Sequence, residues 1–538
     1  MSAASSAKAG GDFTASSDLQ PRHNPWAIAL TVTLATFMEV LDTSIANVAL
    51  PHIAGGLSAS IDEATWILTS YLVSNAIVLP ASAWASTVLG RKRFYMSCVA
   101  LFTISSALCG LAPSLSALIL FRIMQGAGGG GLQPSEQGIL ADTFPPERRG
   151  MAFAVYGMAV VLAPAIGPTL GGWITDNYNW RWIFYINVPV GLLSLFLTRR
   201  MIEDPPHLKE ATRRAYSEGL RIDYVGLMLL VLTFGPFQVM LDKGEELDWF
   251  QSHFIVALAA TAAVSLLVGI GWELWQKSPI VNLRLMSNRH FAISCVLMLS
   301  FGSIIYGTTT LLPEFVQVMM GYTAELAGLM ISPGGLVILV FMPLVGALLG
   351  RIDARWVIVI GFGISALSIY HMTGVDLQMS FGHGMMLRIY QSIGLAFLFV
   401  PLNTIAYVGV PAESNDQVSG LINLMRNVGG SVGISLLSAA VTSRTQVHQD
   451  TLSLHTSSYD PAFRESLSGL GPTLARAGFS TPDATHQALA RMYQTVMGQA
   501  QTLAYLDVFW LLAMLCVAMI PLVFLMKQSQ PTGEIHAH

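Results

Sequence analysis

A chain of 538 residues in which 53% are apolar and only 11% charged is too hydrophobic for a soluble multidomain protein. Its net charge of −4 and the lack of any dense Lys/Arg tract exclude nucleic acid as a partner. Cys98, Cys109, Cys295 and Cys516 all fall in apolar stretches without metal-type spacing, which excludes a zinc site or a disulfide framework and leaves packed free thiols.

Residues 1–25 lack an apolar core followed by a small-residue cleavage site and read as a flexible cytoplasmic tail. Windows of about 19 residues then place transmembrane helices at 26–48, 64–85, 94–112, 115–140, 150–174, 182–201 and 223–241. Seven more fall at 253–275, 290–312, 325–349, 355–375, 384–410, 417–442 and 503–526. The spacing therefore predicts an all-α polytopic membrane protein with fourteen spans. Membrane lipid is its solvent.

Lys and Arg resist translocation when they sit in short loops. Counting from a cytoplasmic amino terminus, 19 of the 28 lie on that side and six on the other, so both termini are expected in the cytoplasm. The polar stretch 443–502 becomes a periplasmic loop, whose latter part, from Ala488, has helical character and extends the last span outward. Residues 527–538 form a second cytoplasmic tail.

An internal repeat sets the domain organisation. Arg122, Gln125 and Gly128 of the fourth span recur as Arg388, Gln391 and Gly394 of the twelfth. A weaker echo pairs the loop at Gly90, Arg91, Lys92 and Arg93 with that at Gly350, Arg351 and Arg355. Two six-helix bundles follow, 26–201 and 276–526, joined through a linker and inserted helix pair at 202–275. Paired halves put a cavity near the bilayer midplane, and rocking of one against the other alternates access.

An ionisable side chain inside a span costs about 2.5 to 3.5 kcal/mol on insertion scales and therefore needs a partner, a wet cavity or a task. Glu39 and Asp42 share one face of the first span. Asp42 lies about 24 Å from the inner end of its helix and Arg122 about 10 Å from the outer end of the fourth, depths that allow pairing. A proton arriving from outside would neutralise the acidic pair, loosen Arg122 and shift which side the cavity faces. The alternative is a static ion pair holding two helices together. Arg388 and Arg426 either bond helix carbonyls or attract an anionic substrate. Interfacial packing is the reading for His290, His371 and His383.

The remaining candidates are weaker. Trp66, Tyr71, Asn75 and Gln133 from the first half, with Tyr306, Arg388, Gln391, Phe399, Asn403 and Arg426 from the second, are expected to line the cavity. The glycine run from Gly126 to Gly131 is no phosphate cradle, because no Gly-Lys-Ser/Thr follows it. No nucleophile with a base, and no cluster of metal ligands, sits at matching depth, so neither an enzyme nor a cofactor or metal site is expected.

The fifth span holds Gly157, Gly167, Pro168, Gly171 and Gly172, and the first runs from Leu41 through Asp42, Asn47 and Pro51. These stretches, with Arg122, Gln125 and Gly126, and with the run from Trp180 to Pro189, resemble the motifs of the fourteen-helix drug:proton antiporters of the EmrB/QacA type, within the major facilitator superfamily. The likeness continues through the inserted pair at Leu241, Asp242, Lys243 and Gly244. It implies proton-driven export of small hydrophobic or amphipathic drugs across the bacterial inner membrane, with the fourth-span arginine tied to proton transfer. It also implies a periplasmic membrane-fusion adaptor of the EmrA kind and a TolC-like outer-membrane channel. A dedicated exporter of one metabolite, siderophore or lipid would use the same scaffold. The loop at Gly90, Arg91 and Arg93 departs from the pattern, with Ala83 and Thr87 where the family offers Gly and Asp.

Overall fold

A backbone immersed in lipid has no water to satisfy its N–H and C=O groups, so a spanning segment must close its hydrogen bonds internally. The computed structural model describes residues 23–217, 223–276, 279–411, 414–454, 456, 460–476 and 480–526. Residues 1–22 and 527–538 of the two tails, and 218–222 of the linker, lie outside them. Among the described residues every regular element is helical.

The first half comprises α1 (Pro25–Gly56), α2 (Ile61–Leu89), α3 (Arg91–Leu111), α4 (Leu115–Gly129), α5 (Leu132–Thr143), α6 (Pro146–Asn177), α7 (Trp182–Tyr185) and α8 (Asn187–Met201). A short helix α9 (Pro206–Ser217) leads to α10 (Tyr224–Lys243) and α11 (His253–Trp275). There follow α12 (Arg289–Val318), α13 (Ala324–Leu348), α14 (Ala354–Met372), α15 (Phe381–Ile405), α16 (Asn415–Ser453), α17 (Pro461–Arg476) and α18 (Thr481–Phe524). Fourteen helical stretches are long and apolar enough to cross a membrane, α4 with α5 and α7 with α8 each counting as one. The chain is a multi-pass membrane protein.

The fourth span is not continuous. Four glycines in a row leave a bare backbone that packs closer than any side chain would allow, and the helix breaks into a turn at Gly130 and Gly131. A Cβ on Gly130 would stand 2.6 Å from the Asn75 carbonyl, and one on Gly131 2.4 Å from Cys98 Sγ. Polar residues do not stop a helix beyond the apolar zone: α1 continues past its expected end to Gly56, and α16 runs on to Ser453. The stretch 443–502 is accordingly mostly helical, with α17 packed on an α18 that already starts at Thr481.

Packing brings together elements distant in sequence. α1 lies against α6, α6 against α13, and α12 against α16. α16 also meets α2 and α5 on one side and α18 on another, while α10 touches α2 and pairs with α11. The face where α1 begins carries Arg91, Lys92, Arg148, Arg149, Arg199 and Arg200 and is called the basic face below.

Candidate functional site

The spacing of Glu39 and Asp42 turns both inward from α1, where each is almost wholly buried. Asp42 Oδ2 accepts from Arg122 Nη1 at 2.6 Å. Its Oδ1 accepts from Asn187 Nδ2 at 2.6 Å and from Gln125 Nε2 at 2.9 Å. Arg122 Nη1 also donates to Gln125 Oε1 at 2.7 Å, which closes a ring of charge and amide across α1, α4 and α8. The Arg122 Nε donates to the Ile67 carbonyl at 3.3 Å, and the guanidinium carbon stands 4.3 Å from the Tyr71 ring centre. A buried ion pair repays its desolvation only with such added bonds. Asn187 is the donor that a search for charges overlooks; only its place in the Trp180–Pro189 run marked it.

Glu39 does not reach Arg122, so the two acids do not act on it together. Glu39 Oε2 accepts from Gln133 Nε2 at 3.0 Å, and Oε1 from Asn75 Nδ2 at 3.2 Å and Tyr71 Oη at 3.4 Å. Gln133 Oε1 in turn accepts a close hydrogen bond from Arg426 Nη2 of α16. A chain Glu39, Gln133, Arg426 thus links α1 through α5 to α16. One turn further along α5, the fully buried Glu136 accepts from Tyr95 Oη at 3.1 Å. This acid was missed, although a carboxylate inside an apolar span is itself the signal.

The repeat at Arg388 preserves spacing and loses the acid. Arg388 Nη1 donates to Gln391 Oε1 at 2.6 Å, as Arg122 does to Gln125, but its Nη2 meets the Thr309 hydroxyl at 3.2 Å instead of a carboxylate. Among the described residues no carboxylate pairs with Arg388 or Arg426 directly. Nε of both, and Nη1 of Arg426, are buried without a hydrogen-bond partner there.

Around Arg426 the aromatic candidates gather. Phe399 is buried with its ring centre 6.0 Å from Tyr156 and 5.8 Å from Phe301. Asn403 donates back to the Phe399 carbonyl at 2.8 Å, and the half-buried Tyr306 lies against Gly430. Trp66 stands apart, 37% exposed, with Lys243 Nζ of α10 5.6 Å from its ring centre.

The motif glycines mark close approaches. A Cβ on Gly126 would lie 2.3 Å from the Tyr71 carbonyl, and one on Gly167 2.3 Å from Ser44 Oγ, so α2 meets α4 and α1 meets α6 only because both residues lack one. Gly157 faces Phe399 and Gly171 faces Ile45, whereas Gly172 has open space. Pro168 sits inside α6, and Asn47 and Pro51 are exposed on α1.

At the basic face Gly90 takes φ +85°, a value that suits glycine, and turns α2 into α3. Arg91 is buried between two carboxylates, with Nη1 2.6 Å from Asp142 Oδ2 and Nε 2.8 Å from Asp416 Oδ1. Ser86 donates to Asp416 at 2.7 Å and Asn415 to Asp142 at 2.6 Å. Thr87 offers no acid and bonds its own helix at the Ala83 carbonyl, while Arg93 is exposed. The carboxylate missing from α2 is supplied by Asp416 at the start of α16.

Residues 32–434 match the family model described as Major Facilitator Superfamily. The chain is 38% identical over 511 residues to the multidrug export protein EmrB of Haemophilus influenzae, covering 95% of this chain and 96% of that one. It is 37% identical to the fatty acid resistance protein FarB of Neisseria gonorrhoeae, over 94% of this chain and 97% of FarB. Among solved structures it resembles the human organic anion transporter MFSD10, with a TM-score of 0.56 at 13% identity, covering 92% of this chain and all of that one, a likeness of fold alone.

Proposed function

The chain belongs to the major facilitator superfamily, a family of transporters and not of enzymes, and on that premise we propose that it exports hydrophobic or amphipathic compounds in exchange for protons. It resides in the bacterial inner membrane, as its full-length relatives of the EmrB type do. In this reading both termini face the cytoplasm, the bundles 26–201 and 276–526 rock about the central residues, and the pair within 202–275 flanks them.

The observation that carries the reading is the single Asp42 carboxylate held by Arg122, Gln125 and Asn187 in a buried setting. While Asp42 is charged, the ion pair ties α1 to α4. A proton taken up from the periplasmic side cancels the attraction, frees Arg122 and lets the bundles change their relation. Loss of that proton to the cytoplasm restores the pair, and each cycle moves substrate against the proton. The Glu39, Gln133, Arg426 chain crosses from one bundle to the other and relates the state of α1 to that of the substrate centre. The test is Asp42→Asn in inverted vesicles. Drug-dependent proton movement should disappear while the drug still binds, and unchanged coupling would exclude Asp42 as carrier.

A second reading, export of a lipid-like acid, is favoured by one observation: Arg426 is buried among aromatic rings with no carboxylate among the described residues bonded to it. The name of FarB points the same way. For passage across the outer membrane, an adaptor of the EmrA kind and a TolC-like channel would complete the pump. Likeness to EmrB supports this assembly, and co-purification with such an adaptor tests it.

A further inference from the structure

Beside the transport path the inserted pair encloses a second space. A cavity of about 160 Å³ lies between α10, α11 and α16, walled by Leu229, Phe234, Leu266, Ile270, Leu424 and Met425. Its length along α10, from Gly226 to Phe234, is about 12 Å at 1.5 Å per residue. One acid, Glu273, and one hydroxyl residue, Thr233, line this otherwise apolar slot. Glu273 is 5% exposed, and its Oε2 accepts from the Val281 amide at 3.4 Å. Its Oε1 is buried and has no hydrogen-bond partner among the described residues. A buried polar atom left unbonded is costly, so the position calls for a donor that none of the described residues provides.

The depth of Glu273 indicates which donor. It lies two residues before the end of α11, at the basic face, beside Trp272 and Trp275, whose rings are 5.7 Å apart. Tryptophan favours the level of lipid headgroups. The Trp272 indole donates to Asp223 at 2.9 Å, which ties the end of α11 to the start of α10. Close by, the exposed Arg284 donates to the Leu274 and Gln276 carbonyls at 3.0 and 2.9 Å. An acid and a cation at headgroup level, above an apolar slot, match a zwitterionic phospholipid.

The slot opens sideways. Leu266 and Ile270 on its rim are 46% and 39% exposed, facing hydrocarbon in a spanning chain. Met425 forms its inner wall, and the next residue, Arg426, belongs to the central cluster, so α16 separates the two spaces.

We infer that this cavity is a lipid site: an acyl chain of a phospholipid in the leaflet at the basic face lies in the slot, and its ammonium headgroup donates to Glu273 Oε1. The phosphate faces Arg284. The bound chain fills the seam between the inserted pair and α16, and steadies α10 against a helix that carries both Asp416 and Arg426.

The test uses the full-length protein and reads lipid retention, so it does not depend on the export reading. Protein is purified from nanodiscs holding equal phosphatidylethanolamine, phosphatidylcholine and phosphatidylglycerol, and the lipid kept is measured by native mass spectrometry. Phosphatidylcholine has the same charge but no N–H. Wild type should retain phosphatidylethanolamine about tenfold over phosphatidylcholine, the ratio expected for one charge-assisted hydrogen bond. Glu273→Gln should abolish that preference. Gly269→Leu should expel the lipid altogether, because a Cβ there meets only Leu229 Cβ at 3.8 Å and the larger side chain folds into the slot. Equal retention of the three lipids by wild type would overturn the inference, even if neither variant folds. Displacement of the retained lipid by a transported cationic dye, with dye binding lost in Glu273→Gln, would overturn it in favour of a substrate site.

Discussion

Arg91 at the start of α3 and Asp416 at the start of α16 meet at 2.8 Å in a buried setting, with Asp142 on the other side of the same guanidinium. The contact joins elements far apart in the sequence at one end of the molecule and ties them together there. Removing one member of a buried pair leaves the others uncompensated, at a cost of about 3–5 kcal/mol. Asp416→Asn is expected to lower the melting temperature of the purified protein and to increase alkylation of a cysteine introduced at Ser419. Arg91→Gln combined with Asp416→Asn should cost clearly less than the sum of the single changes, which a double-mutant cycle measures.

The closed ring at Asp42 gives a separate expectation for Gln125. Replacing it with Leu removes the amide that bonds both Asp42 and Arg122 while leaving the ion pair itself in place. Proton-coupled export should fall although substrate binding persists, as monitored by proton release on drug addition in vesicles. Undiminished export would show that the ion pair alone is sufficient.

Arg426→Gln separates acidic from basic cargo. Loss of a hydrogen bond to a charged partner corresponds to about 10–100-fold in affinity. Retention of a fatty acid should fall by that factor while a lipophilic cation binds as before, measured by ligand-induced thermal stabilisation. An equal loss for both would reduce Arg426 to a structural role.

Two glycines of the family motifs should behave oppositely. Gly126→Ala sets a methyl against the Tyr71 carbonyl, where the backbone cannot yield cheaply, and should destabilise by about 1–3 kcal/mol. Gly172→Ala meets nothing within 4 Å and should stay within about 0.5 kcal/mol of the parent. Melting curves of the two purified variants decide the matter.

The spans were legible because each needs its own run of apolar residues, and lipid enforces that run wherever the helix packs. Their ends were not, since a helix such as α16 can continue through Arg444 and His448 once it leaves the apolar zone; there the side chains bond Asp507 of α18 at 2.7 and 2.8 Å. The pairing of Asp42 with Arg122 could be foreseen from depth alone, because both charges had to find partners at one level. The role of Asp416 could not. It precedes the expected start of its span by one residue and looks like an ordinary loop acid until the fold sets it beside Arg91. Gln133 was named as a lining residue, but its bond to Glu39 depends on the break at Gly130 and Gly131, which aims α5 differently from α4.

Gln133 has a direction. Its amide nitrogen gives to Glu39 and its amide oxygen receives from Arg426, so the two ends cannot be exchanged without setting donor against donor and acceptor against acceptor. An amide carries no proton onward. What it can hand from one bundle to the other is orientation, and a half-turn of this one group would make Arg426 an unwelcome neighbour at the moment Glu39 ceased to need a donor.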